Sequence, residues 1–331
     1  MSKQLHTNKR TIIFRADGGP SIGMGHFTRT LALAEVLNEH FHCIFATQQP
    51  TEYQITEIER ICHGQIVLPE DDTHYGKFLT HLNGTEIVVL DNYYFTTEYQ
   101  IAIKAKGCKL VCIDDLHDQH FVADVIINHA EGVDSSVYSV EPYTKLFLGF
   151  RYALLRKEFR VKTQLIKDKK FSCLIMIGGT DPFGITNNIL ELLSSTEIQK
   201  PIAVIANSKS YYNSVEWFQN LTASEVVKLM ENAEFGIFSA STIAIEACAK
   251  RLPFICGYFV KNQIELYNGI KKSKLAICID DFRTLNKNQL LYALSDLSND
   301  EIKNSIQQRQ KKAISNQMQL RYIRLFKNLW N

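Results

Sequence analysis

The chain has 331 residues, 45% of them hydrophobic and 22% charged, with a net charge of +2. That composition excludes a disordered chain, and the length suits two domains better than one core. The interspersed charge excludes a nucleic-acid-binding surface, and no apolar run approaches the ~20 residues that span a bilayer, so stable membrane insertion is not expected.

Residues 1–9 are a polar tail without the apolar stretch of a secretory signal, which leads to the expectation of a cytoplasmic protein. Strand-like runs then follow at 11–16, 42–47, 65–68, 86–91, 109–114, 124–128 and 145–149. Helical-length segments at 27–39, 52–63, 73–83 and 95–107 lie between the earlier of these runs. Alternation of apolar strands with helices predicts a parallel sheet covered on both faces. A basic stretch at 151–170 interrupts the pattern and divides residues 1–150 from 171–331.

Alternation restarts with strands at 171–177, 202–206, 234–238, 254–257 and 275–279. Its helices are expected at 183–196, 223–232, 242–250, 263–272 and 285–294. The basic tail from 300 to 331 is helical in pattern. Its apolar positions Ile306, Ile314, Met318, Tyr322 and Leu325 would let it fold back over the first domain. The expectation is an α/β protein of two Rossmann-like domains facing across a cleft. Its eight cysteines form no CxxC pair and read as free structural thiols.

In open α/β sheets, ligands bind beyond the carboxyl ends of the strands, so the loops there are the candidates for chemistry. The first runs from Arg15 to His26 as RADGGPSIGMGH. Gly23 and Gly25 let backbone approach a ligand, and His26 falls in the first helical turn. The positive helix pole disfavours an imidazolium there, leaving a ring able to accept a proton from water. Asp17 would orient that ring or bind sugar hydroxyls, and Arg15 would pair with it. The second loop holds Gly178, Gly179, Thr180 and Asp181: two positions without side chains, a hydroxyl and a helix cap. In the third, Ser241 and Thr242 offer an anion seat at a helix start. Glu246 follows one turn later, placed to accept two ribose hydroxyls. Tyr93, Asn262 and Gln263 would line a polar sugar pocket. Each residue also has a plain structural reading as a turn, cap or packing group. The crowded run Asp114, Asp115, His117, Asp118 and His120 lacks a distant partner ligand and reads as a polar loop, so no metal and no cofactor are expected.

With these residues in place the sequence resembles the UDP-2,4-diacetamido-2,4,6-trideoxy-β-L-altropyranose hydrolases of pseudaminic acid biosynthesis. The matching pieces are RADGGPSIGMGHFTR, VLDNYYF, IDD, GFRYALLRKEF, IGGTD, FSASTIAIEA and YFVKNQ, in the family's order over roughly residues 11–280. It is more distantly similar to the N-acetylglucosaminyltransferase of peptidoglycan synthesis, of the glycosyltransferase-B fold. The resemblance implies that His26 is the catalytic base, that Tyr93 and Asn262 lie near the sugar, and that Gly179, Thr180, Ser241, Thr242 and Glu246 hold UDP. It places Arg156 in the interdomain segment, where it is expected on the sugar side. The expected partner is a UDP-sugar, cleaved at C1 by water with inversion. A glycosyltransferase using an alcohol acceptor, or a non-catalytic UDP-sugar-binding subunit, are the alternatives.

Overall fold

The computed structural model describes residues 9–19, 22–162, 166–178, 181–196, 200–207, 210, 212–314 and 317–330, and all statements below concern these. In the first half the strands are β1 (Thr11–Ala16), β2 (His42–Gln48), β3 (Gly64–Leu68), β4 (Ile87–Asp91), β5 (Lys109–Ile113), β6 (His120–Phe121), β7 (Val125–Asn128), β8 (Ser139–Val140) and β9 (Lys145–Leu148). The helices α1 (Gly25–Leu37), α2 (Glu52–Ile61), α3 (Thr73–Leu79) and α4 (Thr97–Ala105) alternate with the early strands. A four-residue helix, α5 (Lys157–Arg160), lies in the connection.

The second half contributes β10 (Phe171–Met176), β11 (Ile202–Ile205), β12 (Val215–Phe218), β13 (Ala233–Ser239), β14 (Phe254–Tyr258) and β15 (Ile277–Asp281). Its helices are α6 (Ile185–Ser194), α7 (Ala223–Glu231), α8 (Thr242–Ala249), α9 (Ile264–Lys272), α10 (Lys287–Ser298), α11 (Asp300–Ala313) and α12 (Met318–Asn328).

The first sheet has the order β3-β2-β1-β4-β5-β7-β9 and the second β12-β11-β10-β13-β14-β15, with every described pairing parallel. Central strands such as β4 and β7 are buried along their whole length, as a sheet covered on both faces requires. Both sheets are Rossmann-like, as expected from the alternation of strands and helices.

The chain leaves β1 to one side, through β2 and β3, then returns to the other side of β1 as β4. It does the same around β10, with β11 and β12 on one side and β13 on the other. Each sheet therefore has a switch point, where neighbouring strands lead into loops that diverge.

One apolar cluster joins the halves. It runs from Phe14 and Leu33 of the first half through Leu154, Leu155 and Phe159 of the connection to Leu174 and Phe254 of the second.

Strand and helix ends fall within a few residues of expectation. The strand β12 was not expected. Its four residues are only half-buried at the sheet edge, so its apolar pattern is weak. The tail is two helices rather than one. The buried Ile306 of α11 packs in the second-half core, and α12 alone returns to the first half. There Phe326 meets Phe41 at 6.3 Å between ring centroids, and the Tyr322 hydroxyl donates to the Tyr152 carbonyl at 2.5 Å. All eight cysteines are free. No described helix is long and apolar enough to cross a membrane.

Candidate active site in the interdomain cleft

The loops from both switch points line one cleft of about 830 Å³ between the halves. Gly23, Gly25 and Tyr93 face it from the first half; Gly178, Ser241, Thr242, Glu246, Asn262 and Gln263 face it from the second. An inner recess of about 110 Å³ shares Gly25, Tyr93, Ser241, Thr242, Asn262 and Gln263 with the cleft and adds His26 to its wall.

His26 is the second residue of α1 and only 5% exposed. Its Nδ1 lies 2.7 Å from Oδ1 of Asp91, the last residue of β4. The register between β1 and β4 pairs Ala16 with Asp91, which sets that carboxylate beneath the start of α1.

Asp91 is fully buried and takes three further bonds. Arg29 donates Nε at 2.7 Å and Nη2 at 2.6 Å, and the Thr30 hydroxyl donates at 2.7 Å. Burial pushes the Asp91 carboxyl up, but Arg29 and His26 outweigh it and hold it well below the usual carboxylate range. An ionised carboxylate only accepts, so the shared proton sits on His26 Nδ1. In a neutral ring this leaves Nε2 as the bare acceptor. Nε2 has no hydrogen-bond partner among the described residues.

A second carboxylate completes the cluster. Arg29 Nη1 donates to both oxygens of Asp115, at 2.8 and 2.6 Å, and the Tyr93 hydroxyl donates to Asp115 at 3.2 Å. The Tyr93 ring stands edge-on to His26, with centroids 4.4 Å apart. Its hydroxyl also accepts from Asn262 Nδ2 at 2.9 Å, joining the two halves over the recess. His129 lines the recess too. Burial first, and then the Arg29 charge, lowers its pKa to about 4, so it is neutral at pH 7.

Across the recess, α8 begins at Thr242. Its N-cap, Ser241, makes no side-chain cap. The N-cap of α1, Met24, makes none either. Elsewhere Thr51, Thr222 and Asn286 each cap their helix with a reciprocal box. Side chains thus leave the starts of α1 and α8 uncapped at the cleft, where open amides suit an anion, although that of Ala244 is spent on the Ser241 carbonyl at 2.9 Å. An added Cβ at Gly25 would meet nothing within 4 Å, so the backbone there is open to a ligand. Gly23 has φ +75°, which glycine adopts without strain.

Several sequence expectations need correcting. Arg15 and Asp17 do not line the cleft. Both are buried, bound to each other at 2.6 Å. Asp17 also accepts from Thr47, the Gln48 amide and Tyr94, while Arg15 contacts His74 at 3.2 Å. Arg15 Nε has no partner among the described residues, but it is buried with the rest of the side chain and out of a sugar's reach.

Asp181 accepts from the amides of Ile185 and Thr186 at 2.9 and 2.7 Å, so it caps α6 and brings negative charge where an anion would otherwise sit. Arg156, expected on the sugar side, does line the cleft, but it donates Nε and Nη2 to the two oxygens of Glu246 at 2.7 and 2.8 Å. Glu246 therefore meets the cleft already holding a cation. Gln263 turns its oxygen to the Phe259 amide at 3.0 Å, which fixes its loop. Gly179 and Thr180 lie outside the described residues.

The run from Asp114 to His120 is dispersed. Asp115 serves Arg29, His117 meets Glu265 at 2.8 Å, and His120 contacts Ser139 at 2.9 Å. Among the described residues no group of three or more His, Cys, Asp or Glu could hold a metal. The sequence reading gave no part to Arg29, Asp91 or His129, and weighed Asp115 only within the run set aside as a polar loop. Arg29 and Thr30 stand three and four residues after His26 on one helix face, a spacing that pointed to a shared partner.

Asp114, one residue from this cluster, is 9% exposed, and burial raises its pKa to about 6. The folded protein then keeps this proton between the ordinary value of 3.8 and about 6, while the unfolded chain releases it. This group's contribution to stability falls as pH rises through that window and stays low above it. Asn at this position keeps an acceptor for the His117 amide, now 2.8 Å away. Asp114→Asn is expected to gain up to roughly 3 kcal/mol relative to the native chain between about pH 4 and about pH 7. Paired urea titrations check this. A difference that does not change with pH would refute it.

No family model matches the chain. In sequence it is 27% identical over 267 residues, 76% of this chain and 93% of that protein, to the UDP-2,4-diacetamido-2,4,6-trideoxy-beta-L-altropyranose hydrolase of Campylobacter jejuni subsp. jejuni serotype O:2. In structure it is similar to the glycotransferase of kitacinnamycin, with TM-score 0.66 and 11% identity, over 98% of this chain and 100% of that one. It is also similar to a putative UDP-N-acetylglucosamine 2-epimerase from Listeria monocytogenes, with TM-score 0.62 and 11% identity, over 97% of this chain and 96% of that one. At such identity these structures carry the fold and not the reaction. The chain thus has the glycosyltransferase-B fold, and over 76% of its length its sequence resembles the Campylobacter UDP-diacetamido-trideoxy-altropyranose hydrolase.

Proposed function

We propose that the protein hydrolyses a UDP-linked 2,4-diacetamido-2,4,6-trideoxyhexose at C1, releasing the free sugar and UDP with inversion. The observation that carries this reading is the His26 imidazole. Asp91 holds it through Nδ1, and it lines a recess walled on the other side by the uncapped start of α8.

The diphosphate sits at the α8 start, on the amides and hydroxyls of Ser241 and Thr242. The sugar extends past Gly25 and Tyr93 toward His26. Water attacks C1 from the face opposite UDP. The new C–O bond forms as the C1–O bond to phosphate breaks, and that electron pair leaves with UDP. His26 Nε2 takes the water proton, and ionised Asp91 stabilises the resulting imidazolium without accepting the proton itself. UDP leaves as an anion compensated by helix amides, so one base suffices. Asp115 and neutral His129 offer an acceptor and a ring nitrogen to the acetamido groups.

The test is hydrolysis in water labelled with heavy oxygen, with the first-formed anomer followed by proton NMR. Label in the sugar and an inverted anomer are expected. Label in UDP would place attack at phosphorus and overturn the reading. Turnover that starts only when an alcohol is added would replace hydrolysis by glycosyl transfer.

A further inference from the structure

A separate cavity of about 320 Å³ lies at the opposite end of α8 from the cleft, among α5, α11 and α12. Its described lining has four basic residues, Arg160, Lys162, Arg251 and Lys311, and no acidic one. Phe159, Ile314 and Met318 give it an apolar side.

Two of its polar residues are only partly satisfied. Arg160 donates Nη2 to Glu35 at 2.8 Å, but its Nε and Nη1 are buried with no partner among the described residues. Gln310 is 0% exposed and donates Nε2 to the carbonyls of Leu252 and Leu275 at 3.1 and 2.9 Å. Its Oε1 is buried and likewise unpartnered. Burial lowers the Arg160 pKa against the pull of Glu35 and Glu158. Buried polar groups in native proteins normally have partners, and each exception calls for one.

At the end of α8 the carbonyls of Glu246, Cys248 and Ala247 are taken by the amides of Lys250, Arg251 and Leu252 at 3.0, 3.1 and 3.0 Å, and the four basic side chains outweigh the negative pole that remains. The unmet groups are thus two donors of a guanidinium, one amide oxygen and a ring of positive charge beside an apolar wall. Guanidinium donors match phosphate oxygens, and the amide oxygen matches a hydroxyl. The volume is at the lower end of the ~300–1,000 Å³ of small-molecule sites.

We propose that this cavity binds a small phosphate monoester, with its phosphate on Arg160 and its hydroxyl-bearing body against Gln310 and the apolar side. The site is independent of the chemistry assigned to the cleft. Its position against α12, which packs on α1, lies behind the helix that carries His26.

The test is calorimetric titration of the full chain at constant ionic strength, with and without UDP. The probes are N-acetylglucosamine 6-phosphate, inorganic phosphate and N-acetylglucosamine. Saturable binding of the monoester at one site is expected, unaffected by UDP and absent for the unphosphorylated sugar. Arg160→Met is expected to weaken it at least about tenfold. Because Arg160 also holds Glu35, the rim variant Lys162→Met with Arg251→Met gives a second reading, with a similar loss expected. Absence of binding, competition by UDP, or unchanged affinity in the rim variant would overturn the proposal. Inorganic phosphate binding as tightly as the monoester would overturn the assignment of the ligand's body.

Discussion

On the proposed mechanism His26→Gln and His26→Ala are each expected to lower kcat for UDP release by about 10²- to 10⁴-fold, the usual contribution of a positioned general base, with little change in KM. The split between the two constants follows from the geometry. His26 is 5% exposed at the wall of the recess, while the uncapped start of α8, where the proposed reading seats the diphosphate, belongs to the other half. Ground-state binding therefore keeps its main contacts when the ring is lost, and only the transition state loses its proton acceptor. Both variants are expected to fold, because Asp91 retains the Arg29 guanidinium and the Thr30 hydroxyl. Steady-state UDP release, with unfolding curves run in parallel, checks both halves of this expectation. Near-normal kcat in the two variants would remove His26 from the mechanism.

Asp91→Asn should be the most damaging single change in the first half. The native carboxylate accepts from His26 Nδ1, from two nitrogens of Arg29 and from Thr30, and it is fully buried. An amide presents one acceptor oxygen where four donors converge, and it turns its own N–H groups on the others. It also leaves the buried Arg29 cation with Asp115 alone. Breaking a buried pair in this way costs about 3–5 kcal/mol, and the lowered stability should show in urea and thermal unfolding. The chemical effect is separable from the structural one. Without an obligate acceptor at Nδ1, the ring proton is no longer confined to that nitrogen, and Nε2 loses its role as sole acceptor. On protein still folded at the assay temperature, kcat is expected to fall about as far as in His26→Ala, by 10²-fold or more, with KM nearly unchanged. Ring-nitrogen NMR of His26 should show the Nδ1–H tautomer in the native chain and a mixture in the variant. A folded variant with native kcat would show that Asp91 anchors Arg29 and has no part in positioning the imidazole.

The glycine-bearing loops, His26 in the first turn of α1 and the serine–threonine start of α8 were legible in the sequence because each is a local strand–turn–helix pattern. The same locality made the two sheets legible: buried parallel strands read as short apolar runs, with helical periods between them. Edge strand β12 escaped because a half-buried edge carries little of that pattern. The carboxylates were another matter. Asp17 stands nine residues before His26 and was the natural choice to orient it, yet it is spent on Arg15, Thr47, the Gln48 amide and Tyr94. Asp91, far away in sequence, takes the ring instead, because β4 crosses back to lie beside β1 and register sets Asp91 against Ala16. In the same way Arg156 and Glu246, read as belonging to opposite sides of the ligand, meet each other when the connection packs on α8. Sequence alone thus determined which loops open on the cleft, since backbone conformation and helix starts depend on near neighbours. Only the tertiary structure decided which charge faces which, because a buried ion pair is set by strand order and packing between distant segments.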